Sequence, residues 1–259
     1  MALKLEADAE KPLRILVIVA HPDDIEFGAA GSVARWADHG ATVIYCIVTD
    51  GAAGSNDPNT NLADLVVQRQ REQREAARIV GVEDVRFLGF ADGMLEPTLD
   101  LRRQLTRVIR ATKPDRVVIM DPTTILVENE QSDYINHPDH RASGEAALYA
   151  MFPSAETRPI FPELLGEGLE PHHVTELYLA LTTKPNTAVD VTPYADRKIQ
   201  ALLQHRSQLD ESVVDLVRGW DKATGQEAGV EYAEAFRVLR FPVNVPGIIQ
   251  PEAGEPPLT

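Results

Sequence analysis

The sequence predicts an α/β fold with a doubly wound, largely parallel sheet and an irregular C-terminal third. Three observations predict it. Continuous β-branched and apolar runs, such as ILVIVA at 15–20 and RVVIM at 116–120, mark strands buried on both faces. These runs alternate with stretches of helical period. The joints between them carry glycine, asparagine, aspartate and proline, the residues that cap helices and form turns.

In chain order, residues 1–12 read as a loose leader, and Ile15 to Ala20 as the first buried strand. A polar turn, HPDDIEFG, follows. A helix is expected to open near Gly28 and to end at a C-cap on Gly40. Ala41 to Val48 is a second buried strand, and TDGAAGSNDPNTN is a long loop without a packing pattern, of the kind that is often functional. Leu62 to Val80 is a charged amphipathic helix ending at Gly81, Val85 to Leu88 a short strand, Leu99 to Thr112 a helix, and Arg116 to Met120 another buried strand. After Asp121 the alternation breaks. A loop from Pro122 to Asn136 leads into HPDHRASGEAALYAM, whose latter part is helical. Met151 to Pro171 is Pro-rich and irregular, Glu176 to Leu181 strand-like, and Tyr194 to Gln208 helical. The chain thus divides into a leader (1–12), one domain (13–243) and a tail (244–259) expected to fray.

Composition excludes several function classes. Asp plus Glu number 40 against 25 Lys plus Arg, a formal net charge of −15 in 259 residues. Such a surface repels phosphate backbones and anionic lipid, so neither nucleic acid nor a membrane is an expected partner. No apolar run approaches the roughly 20 residues of a membrane span. The first 14 residues lack the apolar segment of a signal peptide, and Cys46, the single cysteine, sits in a strand pattern that marks it as core. A cytoplasmic enzyme or binding protein is the expectation.

Two clusters hold the unusual residues. His21-Pro22-Asp23-Asp24 follows the first strand, and His137-Pro138-Asp139-His140 follows the strand ending at Met120. In open α/β sheets the working crevice lies outside the carboxyl ends of the strands, where both clusters fall. Either cluster alone could be an ordinary proline-containing turn. Together they supply two histidines and a carboxylate, a catalytic-zinc ligand set, with an acid and a histidine left over for the proton transfers of amide hydrolysis.

The segments AHPDDIEFGAAGSVA, VTDGAAGS, RQREQREAARIVGV, FLGFADGML, KPDRVVIMDP and NHPDHRA occur in an order that resembles the LmbE-like, or PIG-L-type, zinc-dependent N-acetylglucosaminyl deacetylases. EPHHVTELYL and KIQALLQHRSQ extend the likeness more weakly. The resemblance implies a Rossmann-like sheet and zinc ligands His21, Asp24 and His140, with Fe2+ or another divalent ion as a substitute for Zn2+. It implies Asp23 as general base, His137 as oxyanion stabiliser and proton donor to the leaving amine, and Asp139 as the group orienting the His137 ring. An adjacent carboxylate favours the His137 imidazolium and burial opposes it. Arg69 and Glu72 match positions where the family tends to place an arginine and a glutamate. Arg69 is then a substrate-side or supporting residue, and the alternative is that both make surface pairs on a charged helix face. Tyr134 is a further candidate for reaching substrate from its loop. The commonest family form has Glu directly after the two aspartates; here Ile25 intervenes before Glu26, which leaves the role of Glu26 open.

The implied partner is a small-molecule N-acetylated sugar, and a homo-oligomer is compatible with the family. Two alternatives stand beside deacetylation. One is an amidase acting on another amide, such as a thiol S-conjugate. The other is a non-catalytic metal- or sugar-binding protein, against which an unliganded Asp23 argues. An iron(II) oxygenase triad is disfavoured because H-x-x-D here follows an α/β strand. His172, His173 and His205 read as structural histidines. Gly28 and Gly31 lack dinucleotide-loop spacing and read as room for close helix packing.

Overall fold

The computed structural model describes residues 3–128 and 133–241. The strands are β1 (Lys4–Leu5), β2 (Arg14–Val19), β3 (Thr42–Thr49), β4 (Asp84–Phe90), β5 (Arg116–Met120), β6 (Leu126–Val127), β7 (Tyr134–Ile135), β8 (Glu176–Ala180), β9 (Thr187–Asp190) and β10 (Ala233–Arg240). The helices are α1 (Asp24–Gly28), α2 (Ala30–Asp38), α3 (Leu62–Ile79), α4 (Leu99–Thr112), α5 (Pro138–Tyr149), α6 (Glu163–Gly166), α7 (Ala195–Leu202) and α8 (Val213–Ala228).

Eight strands form one sheet in the order β1-β9-β10-β8-β5-β2-β3-β4. All neighbouring pairs are parallel except those of β10 with β8 and β9. The period of two sorts each strand's side chains into two cores. Ile15, Val17, Val19, Val43, Tyr45 and Ile47 pack against Val33 and Trp36 of α2 and Ala76 and Ala77 of α3. Leu16, Ile18, Ile44, Cys46, Val117 and Ile119 pack on the other face against Leu101, Leu105 and Ile109 of α4 and Ala146 of α5. Helices on both faces make the sheet doubly wound, as its near-continuous apolar strands require. Because β2 lies between β3 and β5, winding reverses there. The crevice at the carboxyl ends of β2 and β5 is therefore the topological switch point.

Several expectations shift. The helix expected near Gly28 begins at Asp24, and Ala29 (φ −151°, ψ −2°) separates α1 from α2. Residues 1–12 were expected to be loose, but Lys4 and Leu5 extend the sheet beside β9. Glu6 explains this anchoring. Its carboxylate accepts from Trp36 Nε1 and Tyr178 Oη, each at 2.8 Å, and lies 2.7 Å from Arg116, whose guanidinium stacks over both the Trp36 and Tyr178 rings. The C-terminal third is more regular than its pattern suggests, since β9, α8 and β10 join the expected strand and helix. It is also tied to the site-bearing half. Glu234 of β10 accepts from the amides of Gly31 and Ser32 at the start of α2, and buried Lys198 bridges Glu234 to Asp221. Gly31 gives the closeness expected of it, since a Cβ there would lie 2.9 Å from Val191. The loop 122–136 contains an antiparallel ribbon, β6 with β7. The tail expected to fray, 244–259, lies outside the described residues. Among the described residues no helix is long and apolar enough to cross a membrane.

Candidate active site

The chain leaves β2 directly into the first cluster. The His21 amide donates to Asp24 Oδ2 at 2.7 Å, closing the turn that starts α1. Asp23 takes φ 106° and ψ −27°, a left-handed conformation that costs a non-glycine residue about 1–3 kcal/mol. Contacts from α3 hold it there. Arg69 donates to the carbonyls of Pro22 (2.8 Å) and Gly51 (2.9 Å) and to Asp23 Oδ2 (3.1 Å), while Gln73 Oε1 accepts from the Asp23 amide at 2.9 Å.

The second cluster is built by a helix start. His137 is the N-cap of α5, Pro138 occupies the first helical position, where no amide hydrogen is needed, and the Asp139 amide donates to His137 Nδ1 at 3.2 Å. One turn after His140, Gly144 sets the depth of α5: a Cβ there would lie 2.5 Å from the Met120 carbonyl oxygen. The helix therefore rests directly on the end of β5, which carries His140 to the switch point.

The two clusters meet. His140 Nε2 lies 3.2 Å from His21 Nδ1 and 3.0 Å from Asp24 Oδ1, and His21 Nδ1 lies 3.5 Å from Asp24 Oδ2. An ion roughly 2.0–2.2 Å from each of three donors holds them about 3–3.5 Å apart, so the spacing fits a zinc-sized cation. The outer nitrogens agree with that fit. His21 Nε2 faces Asp92 Oδ1 at 3.0 Å and Asp139 Oδ2 at 3.3 Å, which places its proton on Nε2 and leaves Nδ1 free as a ligand. Asn136 Nδ2 donates to the Thr124 carbonyl, so its Oδ1 faces His140 Nδ1 at 3.3 Å and leaves Nε2 free. His137 lies close by, with one ring nitrogen within 4.8 Å of those of His21 and His140.

The electrostatics point the same way. Burial opposes the charged form of His21, yet hydrogen bonds to Asp139, Asp24 and Asp92 push it up to about 12. Surroundings that favour a proton so strongly also favour a divalent cation. Burial opposes the Asp24 carboxylate as well, but His140 and His21 hold its pKa well below the usual range. Asp23 differs, because burial pushes it up to about 6 against the opposing charge of Arg69. For His137, burial and the charges of His21 and His140 outweigh Asp139 and lower its pKa. With Nδ1 accepting from a backbone amide, the neutral ring carries its proton on Nε2.

Two expectations need correction, and a third is narrowed. The Asp139 carboxylate does not orient His137. It accepts from the amides of Gly93 (2.7 Å) and Leu95 (3.1 Å) and faces His21, because the helix start turns it inward; the Asp139 backbone is what meets His137. Arg69, read as a substrate-side or supporting residue, is 4% exposed and clamps Pro22, Gly51 and Asp23, which is a supporting placement. Arg69 and Glu72 do not make surface pairs, since Glu72 is buried and accepts from the amide and hydroxyl of Ser207.

The other candidates fall where the geometry makes their surroundings plain. Tyr134 lies half-exposed on β7, three residues ahead of His137. His172 contacts the Pro114 carbonyl, and His173 contacts Glu156 and the Phe241 carbonyl, all apart from the cluster. His205 is fully buried against Glu26 at 3.1 Å. Cys46 is core, its thiol pushed up to about 12 by burial. Sequence reasoning passed over Asp92, Asn136 and Gln73. Asp92 could have been found, since it follows β4 on the same sheet edge inside FLGFADGML.

A switch-point crevice holding two histidines and a carboxylate at metal-binding distance, with a further carboxylate beside them, defines the class of metal-dependent α/β hydrolases. The sequence profile of PIG-L, described as GlcNAc-PI de-N-acetylase, matches residues 16–151, and the chain belongs to this family. It is 31% identical over 243 residues to the diacetylchitobiose deacetylase of Thermococcus kodakarensis, covering 91% of this chain and 84% of that protein. It is 27% identical to a probable N-acetyl-α-D-glucosaminyl L-malate deacetylase of Bacillus anthracis, covering 88% of this chain and 95% of the relative. Among solved structures, N,N'-diacetylchitobiose deacetylase from Pyrococcus horikoshii, complexed with its inhibitor MPG, superposes with a TM-score of 0.80 at 31% identity, covering 90% of this chain and 87% of that one.

Proposed function

We propose that this protein is a zinc-dependent, cytoplasmic deacetylase that hydrolyses the N-acetyl group of an N-acetylglucosamine-type amino sugar, releasing acetate and the free amine. The observation that carries the reading is the convergence of His21 Nδ1, His140 Nε2 and the Asp24 carboxylate, with the outer imidazole nitrogens facing acceptors. The deacetylase names of its relatives supply the substrate class. His21, Asp24 and His140 would hold the ion. When bound, zinc would lower the pKa of a water towards neutrality and polarise the amide carbonyl.

The chain's own residues do the rest. Asp23 takes the proton from the attacking water, and its raised pKa makes it a base matched to near-neutral pH. His137 presents Nε2–H to the oxyanion that develops as the carbonyl becomes tetrahedral. The departing amine takes the proton that Asp23 accepted from the water. A neutral His137 that gave up its Nε2 proton would be left as an imidazolate, and its lowered pKa disfavours the imidazolium that could donate. Asp92, Asp139 and Asn136 keep the ligand histidines in the required tautomers. Tyr134, half-exposed on the ribbon, reaches the substrate from there.

The test is elemental analysis of the purified protein and of His140→Ala. Acetate release from N-acetylglucosamine and N,N'-diacetylchitobiose is followed in parallel. Stoichiometric zinc that His140→Ala loses, with acetate release that vanishes in a zinc-retaining Asp23→Ala, is the expected outcome. Zinc without acetate release from any N-acetylated sugar would overturn the substrate class. Protein that takes up no zinc would overturn the mechanism.

A further inference from the structure

We infer that Gln73 is a positioning residue for the Asp23 carboxylate, and that the buried Glu26–His205 pair orients Gln73 for that task. The inference rests on the reading of Asp23 as the base. One peptide unit, between Pro22 and Asp23, is held at both ends by α3. Its carbonyl accepts from Arg69 at 2.8 Å and its amide donates to Gln73 Oε1 at 2.9 Å. Arg69 and Gln73 stand four residues apart, on one helix face. Rotating this peptide plane would break both bonds, and the left-handed φ of Asp23 is the conformation they select.

A glutamine suits the place because it must accept at one end and donate at the other. Gln73 Nε2 lies 3.1 and 3.3 Å from the two carboxylate oxygens of Glu26, whose Oε2 lies 3.1 Å from His205 Nε2. Glu26, Gln73 and His205 are all fully buried, so water competes for none of these bonds. Among the described residues His205 Nδ1 has no hydrogen-bond partner, which leaves Glu26 as the polar contact of the ring. The carboxylate therefore dictates which way the Gln73 amide faces. The series of bonds ends on the backbone amide of Asp23, one bond from its Cα, and not on a remote part of the core. This assigns a task to Glu26, displaced by one position from the usual family pattern, and to His205, which otherwise reads as a plain core histidine.

Gln73→Met keeps the side chain's length and removes both of its hydrogen bonds. On the zinc-loaded protein, kcat should fall about 10–100-fold, the scale of a misaligned catalytic group, with KM within about twofold and zinc still stoichiometric. Gln73→Glu sets a carboxylate against Glu26 and should be at least as damaging. Adding Glu26→Gln to it restores an acceptor for the Asp23 amide and a donor between the two side chains. That double variant should recover at least about tenfold in kcat over Gln73→Glu. Crystal structures of the wild type and Gln73→Met read the backbone directly, and the Asp23 φ should leave the left-handed region in the variant. A retained φ near 106° overturns the positioning role whatever the activity. A changed φ with no recovery in the double variant overturns the part given to Glu26 and His205. If the wild type released no acetate from any N-acetylated sugar, the functional reading would fall, while the backbone comparison would still decide the clamp.

Discussion

The tripeptide His-Pro-Asp occurs twice at this site and folds in two ways. At 21–23 it forms a strained turn whose aspartate is left-handed, held by Arg69 and Gln73 from a helix some 50 residues away in sequence. At 137–139 it forms a relaxed helix start, with histidine as N-cap, proline at the first position and aspartate inside the first turn. The two aspartates consequently face different ways. Asp23 stands beside the ligand cluster, whereas Asp139 turns to His21 and to the amides of Gly93 and Leu95. Where the proline turn meets a helix that grips its peptide plane, the following carboxylate stays beside the histidines. Where the same turn opens a helix of its own, the carboxylate is turned inward under His21.

That contrast can be broken or sharpened by experiment. The largest effect belongs to Asp23→Ala. As the base it should take kcat down by about 10²–10⁴-fold with zinc retained, measured by acetate release alongside elemental analysis. Asp139→Asn should act differently. Support for a ligand histidine is typically worth about 10–100-fold in metal affinity, so competition with a chelator should show weaker zinc binding, and excess zinc should restore most of the turnover. If Asp139→Asn instead lost turnover with unchanged zinc affinity, the two aspartates would not differ as their geometry states.

The pH profile separates them again. Burial raises Asp23 to about 6, whereas its hydrogen bonds and His21 lower Asp139 despite burial. Only the ionised base accepts a proton, so kcat/KM should fall as pH drops through about 6, approaching tenfold per unit below it. Asp139 stays ionised throughout that window and contributes no limb. A profile flat down to pH 5 would remove Asp23 from the role. The smallest effect concerns the seat of the second cluster. Gly144→Ala forces a Cβ towards the Met120 carbonyl and should cost about 1–3 kcal/mol, lowering Tm by roughly 2–4 °C per kcal/mol and weakening zinc binding as His140 shifts. Gly166→Ala, with nothing within 4 Å of its added Cβ, is the control and should leave both unchanged.

Much of this molecule is set by its sequence alone. Continuous apolar runs and helices of period 3.6 specify the parallel layers, because a strand apolar on both sides can bury its side chains only with helices on both faces of the sheet. Helix α4 has the bounds its pattern predicts, Leu99 and Thr112. Helix α5 is legible only in part, since the pattern predicts helix in the latter part of HPDHRASGEAALYAM and in the structure it already starts at Pro138. The rule that ligands gather at strand carboxyl ends then brings both histidine clusters to one edge. What the sequence does not show is which polar groups meet inside. Glu6 sits in a polar segment that looks unanchored until Trp36, Tyr178 and Arg116 converge on it. Arg69 and Gln73 belong to a charged helix, and nothing local marks them as the pair that grips a distant peptide plane. Asp23 and Asp139 follow the same two residues, yet one is held by Arg69 and the other by His21 and the amides of Gly93 and Leu95. Periodicity reports burial, which is a property of each position along the chain. A buried hydrogen bond needs two partners at about 3 Å, and for partners 50 or more residues apart only the tertiary structure can bring them together.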